Sequence, residues 1–340
     1  MGFARGKYVQ EGEEGVYHCI SRCVRRAYLF GVDPLTGRDY SHRKGWIVER
    51  LKYLASIFAI DVCAYAVLWT HFHNILRTRP DIVAGWSDLE VAARWLKLYP
   101  KRAGRKGKAA SLTEEDMIRA LASCPGRIAE LRKRLCSLSW FMGRLNEHIA
   151  RAANKEDDVK GRFWESRFKC QVLLDEAAIV SGMVYVDLNL IRAGLAATPE
   201  ESDFASIQER IRAWQEETMG SREAGPVSEA WLCPIASESG RRGILQMTAL
   251  EYFDLVDRSG RIIRSDKRGA IDAELAPILQ RIGANPEAWL ETISGFESKF
   301  CLAAGLVSSL RSFADRLGRR WVKGVGMART LFASSPPKMA

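Results

Sequence analysis

Short runs in the first 80 positions, rich in apolar residues, predict three β-strands. They lie at Val16–Arg22, at residues 62–69 and at His71–Thr78, and in each strand residues i and i+2 point to the same face. Residues 46–58, between the first two runs, carry apolar side chains at helical spacing, which is typical of a helix that packs on a sheet. The pattern therefore predicts a strand, a helix and two further adjacent strands.

The middle of the chain completes this order after a helical interruption. Residues 80–128 are rich in charged residues and helix formers and predict a helical, basic insertion, and residues 128–153 predict a long helix. A short strand at 171–174 and a helix beginning near Asp175 follow. An order of strand, helix, strand, strand, helix and strand predicts an α+β fold, with a ferredoxin-like antiparallel sheet and helices on one face.

The composition changes after residue 200. Residues 201–245 contain many glycine, proline, serine and glutamate residues and predict a linker-like segment. Residues 246–333 predict a C-terminal helical domain, which starts with a capping-box pattern at Thr248 and Glu251. We expect residues 334–340 to be a disordered tail. The last predicted helix is basic, so this domain either contacts nucleic acid or presents a solvated charged face.

Composition and charge narrow the class of protein. The 340 residues are 47% hydrophobic, which is enough for a full core, and their formal net charge is +10, which suits a polyanion such as DNA. An ordinary basic protein is the alternative. No run of about 18 apolar residues predicts a membrane span, and the N-terminus lacks the apolar region of a signal peptide. We therefore expect a cytoplasmic protein with no membrane partner, whose eight scattered cysteines are reduced and form no zinc finger.

The motif His71-Phe72-His73 is the first candidate for chemistry. Residues i and i+2 of a strand point to the same face, so both imidazoles project together while Phe72 points into a core. Two neutral imidazoles on one face are half of a site for a divalent metal, although such pairs also arise by chance on surfaces. His18 on the first strand either lies near this face or is a hydrogen-bonded structural histidine.

A second candidate pair lies on the predicted helix after Asp175. Tyr185 and Asn189 are four residues apart, so they share one face of a helix. The amide oxygen of asparagine can bind a hard cation, and a tyrosine phenol can act as a nucleophile. The alternative is that Tyr185 packs between helix and sheet and that Asn189 caps the turn before Gly194. The helical pattern alone favours this alternative.

With these motifs in order, the chain resembles the single-tyrosine HUH transposases, an IS200-like family, and most of all the REP-associated tyrosine transposases with a C-terminal extension. The resemblance rests on residues 15–22, on the histidine motif, on residues 161–169 and on residues 185–195, and it covers roughly residues 10–200. Two departures affect the surroundings of the motifs. Trp69 and Thr70 replace the usual Pro-Asn before the first histidine, and Leu190 replaces the proline after the helix asparagine.

The resemblance implies an HUH endonuclease fold for residues 1–200 and an activity. It implies a metal-dependent endonuclease and strand transferase that acts on single-stranded DNA, at or near hairpins, through a 5′-phosphotyrosine intermediate in DNA transposition and recombination. Tyr185 would be the nucleophile, and His71, His73 and Asn189 would hold Mg²⁺ or Mn²⁺. Relatives include monomers and homodimers, so either state is expected.

DNA binding is assigned to basic and aromatic residues around these motifs. Arginine and lysine contact phosphates without selecting sequence, and tryptophan can stack on an unpaired base. The alternatives are a flexible, solvated loop for the basic run after residue 97 and a core or hairpin-edge role for Trp164. The expected DNA-binding residues are Arg22, Arg25, Arg26, Lys101, Arg102, Arg105, Lys106, Trp164, Arg167, Lys169 and Arg192.

Two other functions stay open on the sequence. The departures at Trp69, Thr70 and Leu190 motivate a domesticated, catalytically inactive protein that binds single-stranded or hairpin DNA. A water-activating metallohydrolase is the weaker alternative. It needs further ligands, and Asp61 and Asp187 are the nearby acids, with Asp187 expected to point away from Tyr185 and Asn189.

Overall fold

The computed structural model describes residues 6, 8–24, 27–99, 113–219, 231–238, 240–263, 300, 302–305 and 307–331. The strands are β1 (Val16–Arg22), β2 (Ile60–Val67), β3 (His71–Thr78), β4 (Lys169–Leu173) and β5 (Ala303–Ala304). The helices are α1 (Arg43–Ala55), α2 (Pro80–Gly85), α3 (Asp88–Lys97), α4 (Glu114–Ala122), α5 (Pro125–Leu135), α6 (Leu138–Glu156), α7 (Glu176–Asp187), α8 (Asn189–Arg192), α9 (Ser206–Met219), α10 (Ala249–Ile263), α11 (Val307–Arg316) and α12 (Val325–Leu331). None of the helices in the described ranges is long and apolar enough to cross a membrane.

The strands form one sheet in the order β2-β3-β1-β4-β5. β1 lies antiparallel to both β3 and β4, and β2 lies antiparallel to β3. Each helical crossover therefore joins two parallel strands that have a third strand between them, which is the split arrangement of a ferredoxin-like sheet. The expected antiparallel sheet needs one correction, because the two-residue β5 pairs parallel with β4 at its edge.

Helices cover both faces of the sheet, whereas the sequence predicts them on one face. On one face, Asn74 of β3 contacts Met142 of α6, and α6 packs beside α1. The next residue, Ile75, points to the opposite face, where it meets α7. Gly182 permits this close approach, because a Cβ there would lie 3.2 Å from Ile75 Cδ1 and 3.1 Å from Leu173 Cδ1. α7 is apolar on nearly all sides because it is itself covered by later elements.

The described parts of residues 201–245 pack along the edge strand β2, so they are not the linker that composition predicts. Ser206 at the start of α9 accepts a hydrogen bond from the Tyr65 main-chain N–H at 2.9 Å. The Cys233 main-chain N–H donates to the Val62 carbonyl at 2.9 Å. An edge strand has unpaired main-chain groups, and these segments satisfy them. The glycines and prolines here therefore belong to turns around a packed edge.

The described parts of residues 246–333 join the same core instead of forming a separate helical domain. The predicted capping box is confirmed, since the Glu251 N–H donates to Thr248 Oγ1 at 3.2 Å and the Thr248 N–H donates to Glu251 Oε2 at 2.9 Å. α10 then packs on α7, and β5 extends the sheet. The expected tail at 334–340 lies outside the described residues.

The buried carboxylate of Asp187 connects α7 with α9 and α10. Asp187 accepts hydrogen bonds from the Ser206 hydroxyl at 2.6 Å, the Ile207 N–H at 3.1 Å and the Tyr252 phenol at 2.5 Å. Burial raises the pKa of Asp187 above its ordinary value. Its three donors offset the cost of removing the carboxylate from water.

We expect Tyr252→Phe to lower the free energy of unfolding by about 1–3 kcal/mol, because the buried Asp187 carboxylate loses one of its donors. Chemical denaturation followed by circular dichroism measures the change. The matched control is Tyr53→Phe, whose hydroxyl donates to the Lys97 carbonyl at the surface and whose loss should cost under about 0.5 kcal/mol. Equal effects in the two variants would contradict the role given to Tyr252.

Candidate active site

The two imidazoles of the histidine motif lie side by side on the face of β3 that α7 covers. The ring centroids of His71 and His73 are 4.9 Å apart. Phe72 is fully buried on the other face, where its ring lies 5.6 Å from that of Trp164. Strand alternation therefore produces the predicted shared face.

The Tyr185 ring lies beside the ring of His73 in this pair. Asp175 caps the start of α7, because its carboxylate accepts a hydrogen bond from the Ala178 N–H at 3.0 Å. The helix then carries Tyr185 across the sheet about three turns later. The Tyr185 ring centroid is 5.7 Å from that of His73 and 5.7 Å from that of His18. A phenol from a helix and paired imidazoles from a strand thus meet at one place, with Tyr185 only 8% exposed.

Asn189 lies at the start of α8, one turn beyond Tyr185. Its side-chain Nδ2 donates to the Tyr185 carbonyl at 2.9 Å, and the residue is buried. The Asn189 amide therefore bonds to the last turn of α7, whereas the alternative predicts a cap of the turn before Gly194. This bond uses the amide nitrogen, which leaves Oδ1 as the atom that could bind a cation.

His18 lies on the same face as His71 and His73 and is also hydrogen-bonded. Both roles that the sequence offers for His18 are therefore present at once. Its Nε2 lies 2.9 Å from His73 Nδ1, and the two rings are stacked with an angle of 13° between their planes. Its Nδ1 lies 3.4 Å from Gln171 Oε1. Neither Gln171 nor the pairing with His73 is apparent in the sequence, because both depend on the order of the strands.

The surroundings of His73 keep its ring neutral. The side chain is fully buried, and the pKa of His73 is well below its ordinary value because of that burial, with further lowering by His71, His18, Arg22 and Arg192. Neutral imidazole is the form that binds metal ions. Its Nε2 is buried and has no hydrogen-bond partner.

This donor set fits a divalent cation. His73 Nε2 is an unpartnered buried acceptor, and Thr70 Oγ1 lies 2.9 Å from His71 Nδ1, so Thr70 orients the second imidazole. Two imidazole nitrogens and an asparagine oxygen suit Mg²⁺, Mn²⁺ or a similar ion. Within the described ranges, no three or more His, Cys, Asp or Glu side chains are arranged to hold a metal. A cation here therefore requires a ligand of another type, such as Asn189 Oδ1.

Two arginines that have nitrogens without a hydrogen-bond partner lie next to the residues of this site. The Arg192 guanidinium carbon is 4.9 Å from the Tyr185 ring centroid, and its Nε and Nη2 are buried without a hydrogen-bond partner. Arg22, opposite His71 in the β1–β3 register, has a buried, unpartnered Nε. Burial lowers the pKa of Arg192 to about 10, so it remains charged at neutral pH. Buried guanidinium nitrogens without a hydrogen-bond partner are costly, and a phosphate could accept hydrogen bonds from those of both arginines.

The structure places the other expected DNA-binding residues as follows. Trp164 is partly buried against Phe30, Phe72 and Phe163, and its Nε1 donates to the Asn146 carbonyl at 2.9 Å, which are contacts of the predicted core role. Arg167 lies just before β4 and Lys169 is the first residue of that strand, and both are exposed. The remaining expected residues lie outside the described ranges: Arg25, Arg26, Lys101, Arg102, Arg105 and Lys106.

The acids proposed for a metallohydrolase are engaged elsewhere. Asp61 forms ion pairs with Arg77 at 2.7 Å and Arg79 at 3.0 Å. Asp187 points away from Tyr185, as expected, into its hydrogen bonds with α9 and α10. Neither carboxylate is available as a ligand beside His71 and His73, which argues against that alternative.

Comparison with known proteins adds one weak likeness. The chain is similar to a solved structure described as a REP-associated tyrosine transposase bound to a REP hairpin. The match has 11% sequence identity and a TM-score of 0.37, and it covers 72% of this chain and 100% of that chain. No protein-family model and no curated protein matches the sequence.

Proposed function

We propose that this protein is a metal-dependent endonuclease and strand transferase of single-stranded DNA that acts through Tyr185 at or near hairpins. The observation that carries the proposal is that the Tyr185 ring lies beside the Arg192 guanidinium and the His73 imidazole, and that His73 in turn lies beside His71. These are a nucleophile, ligands for a cation and partners for a phosphate. The net charge of +10 suits the same polyanionic substrate.

The proposed reaction is a transfer of a phosphodiester to tyrosine. The Tyr185 oxygen loses its proton and forms a bond to phosphorus, while the bond from phosphorus to the 3′-oxygen breaks and that oxygen takes up a proton. The products are a 5′-phosphotyrosine and a free 3′-hydroxyl. Because the new ester conserves the energy of the broken one, a second 3′-hydroxyl can reverse the step and join strands without ATP.

The site residues share the work of placing the phosphate. His71, His73 and Asn189 would hold Mg²⁺ or Mn²⁺, which supplies positive charge at the non-bridging oxygens when it is bound. Arg192 and Arg22 would donate to the same phosphate, which satisfies their buried nitrogens. Arg192 beside the Tyr185 ring also favours the negative charge that develops on the attacking oxygen.

A second candidate is a catalytically inactive protein that binds single-stranded or hairpin DNA. It is favoured by the positive charges of Arg22 and Arg192, which lower the pKa of His73 and which would also repel a cation there. A phosphate would still satisfy both arginines without any metal. The two candidates therefore differ in whether a divalent ion binds and whether a DNA strand is cut.

Labelled single strands flanked by a hairpin, incubated with the protein and Mn²⁺ or Mg²⁺, distinguish these candidates. The endonuclease should form a DNA adduct that survives denaturing electrophoresis and disappears after protease treatment. Retained DNA binding with no nicking at any concentration of either ion would support the inactive binding protein.

Arg192→Gln should slow DNA cleavage roughly tenfold to a hundredfold, because a hydrogen bond to a charged group contributes about 1.5–3 kcal/mol. Single-turnover cleavage rates at saturating metal measure the change. The matched control is Arg119→Gln, an exposed arginine of α4 that pairs only weakly with Glu115. A rate unchanged from the parent protein in the Arg192 variant would remove Arg192 from the phosphate site.

A further inference from the structure

A chain of buried hydrogen bonds connects His73 with the segment around β5, here called the C-terminal segment, which includes Phe300 and residues 302–305. It begins at the main-chain carbonyl of Phe300, which accepts a hydrogen bond from Gln171 Nε2 at 2.5 Å. A carbonyl oxygen can only accept, so this contact determines the orientation of the Gln171 amide. Oε1 of Gln171 is then the atom that faces His18 Nδ1, at 3.4 Å.

The orientation of Gln171 determines the tautomers of both histidines. Because Oε1 only accepts, His18 Nδ1 must carry a hydrogen, and a neutral His18 then has its lone pair on Nε2. His73 Nδ1, 2.9 Å away, must donate to that lone pair. His73 therefore carries its own hydrogen on Nδ1 and its lone pair on Nε2.

The opposite arrangement is unfavourable on two grounds. It would place protons on both nitrogens of His18, which makes a charged ring in a residue only 1% exposed. It would also put a hydrogen on His73 Nε2, which has no acceptor in the protein. Gln171 is 5% exposed, so the polar partners of this chain are sheltered from water.

We propose that His18 and Gln171 are positioning residues that hold His73 as its Nδ1–H tautomer, with the Nε2 lone pair directed into the candidate metal site. The use of that lone pair rests on the proposed function, whereas the tautomer rests on the hydrogen bonds alone. A partner on the far nitrogen of a histidine ligand commonly sets its tautomer and orientation and strengthens it as a ligand. His18 gives His73 such a partner.

The C-terminal segment becomes part of the site through this chain. Phe300 is held beside β4 because the Val172 N–H donates to the Leu302 carbonyl at 2.7 Å and the Leu174 N–H donates to the Ala304 carbonyl at 3.0 Å. The β5 pairing therefore places the carbonyl that orients Gln171. Residues near β5, which are distant from β3 in the sequence, therefore set the tautomer of His73.

The test compares two variants of the full chain, His18→Leu and His18→Gln. The leucine removes the acceptor that faces His73, whereas the glutamine can present Oε1 near the position of the lost Nε2. Two readouts are used without DNA: histidine tautomers from long-range ¹H–¹⁵N correlations in the metal-free protein, and Mn²⁺ affinity from calorimetry. We expect His73 in the parent protein to be protonated on Nδ1. We expect His18→Leu to lose about tenfold to a hundredfold in Mn²⁺ affinity and His18→Gln to retain most of it.

The outcomes separate this inference from the proposed function. His73 protonated on Nε2 in the parent protein would overturn the inference, and the parent spectrum decides this even if a variant does not fold. Mn²⁺ affinity unchanged in a folded His18→Leu would overturn the positioning role. An Nδ1–H tautomer in a parent protein that binds no Mn²⁺ would support the hydrogen-bond chain and contradict the metal-dependent function.

Discussion

Tyr185→Phe is expected to abolish the covalent protein–DNA adduct and to slow strand cleavage on the order of a thousandfold or more, because the variant has no oxygen to attack phosphorus. DNA binding should stay within about twofold, since only one hydroxyl is removed from a ring that otherwise packs on His18 and His73. Denaturing electrophoresis of labelled DNA with Mn²⁺ measures the adduct, and a mobility-shift titration measures binding.

Tyr53→Phe is the matched control for this prediction. Tyr53 lies on α1, which packs with α6 on the face of the sheet opposite to Tyr185, and its hydroxyl donates to the Lys97 carbonyl at the surface. The control should form adduct at the parental rate. A protease-sensitive DNA adduct in Tyr185→Phe would show that another residue is the nucleophile.

Alanine at His71 or His73 is expected to remove the divalent-metal requirement together with cleavage. Mn²⁺ affinity should fall by more than about a hundredfold, because even residues that only support a metal ligand contribute tenfold to a hundredfold. Calorimetric titration with Mn²⁺ and cleavage at increasing Mn²⁺ measure the two effects. His71→Ala is the safer variant for folding, because His71 is only partly buried and His73 is fully buried.

His148→Ala controls for the loss of an imidazole as such. His148 is an exposed residue of α6, on the other side of the sheet. Its replacement should change neither Mn²⁺ affinity nor cleavage. Cleavage that persists in His71→Ala with the parental dependence on Mn²⁺ would exclude His71 as a ligand.

Local periodicity predicts much of the fold. β1 and β3 have the predicted bounds, and the predicted helix at 128–153 corresponds to α5 and α6 with a break at Cys136 and Ser137. The composition of residues 201–245 was misleading for a physical reason. Glycine and proline form turns equally in a linker and in a segment that covers a sheet edge, and composition does not distinguish the two.

The predicted site shows the same division. Spacing in the sequence is enough to suggest His71 with His73 and Tyr185 with Asn189. In the structure the His73 ring lies beside the rings of both His71 and Tyr185. Trp164 is different, because an aromatic residue near a strand has the same local pattern whether it stacks on a base or packs in a core. The structure adds its contacts with Phe72 and the Asn146 carbonyl, which local sequence does not reveal.

Strand alternation and helix spacing follow from backbone geometry within a few residues. The sequence alone therefore determined that two imidazoles share one face of a strand and that a phenol and an amide lie one helical turn apart. The tertiary structure decided which partners surround them. The position of β1 between β3 and β4 puts His18 between His73 and Gln171, and β5 brings the Phe300 carbonyl to the end of that chain. Neighbours across a sheet depend on the order of strands, which is set by the burial of the whole chain and not by any local pattern.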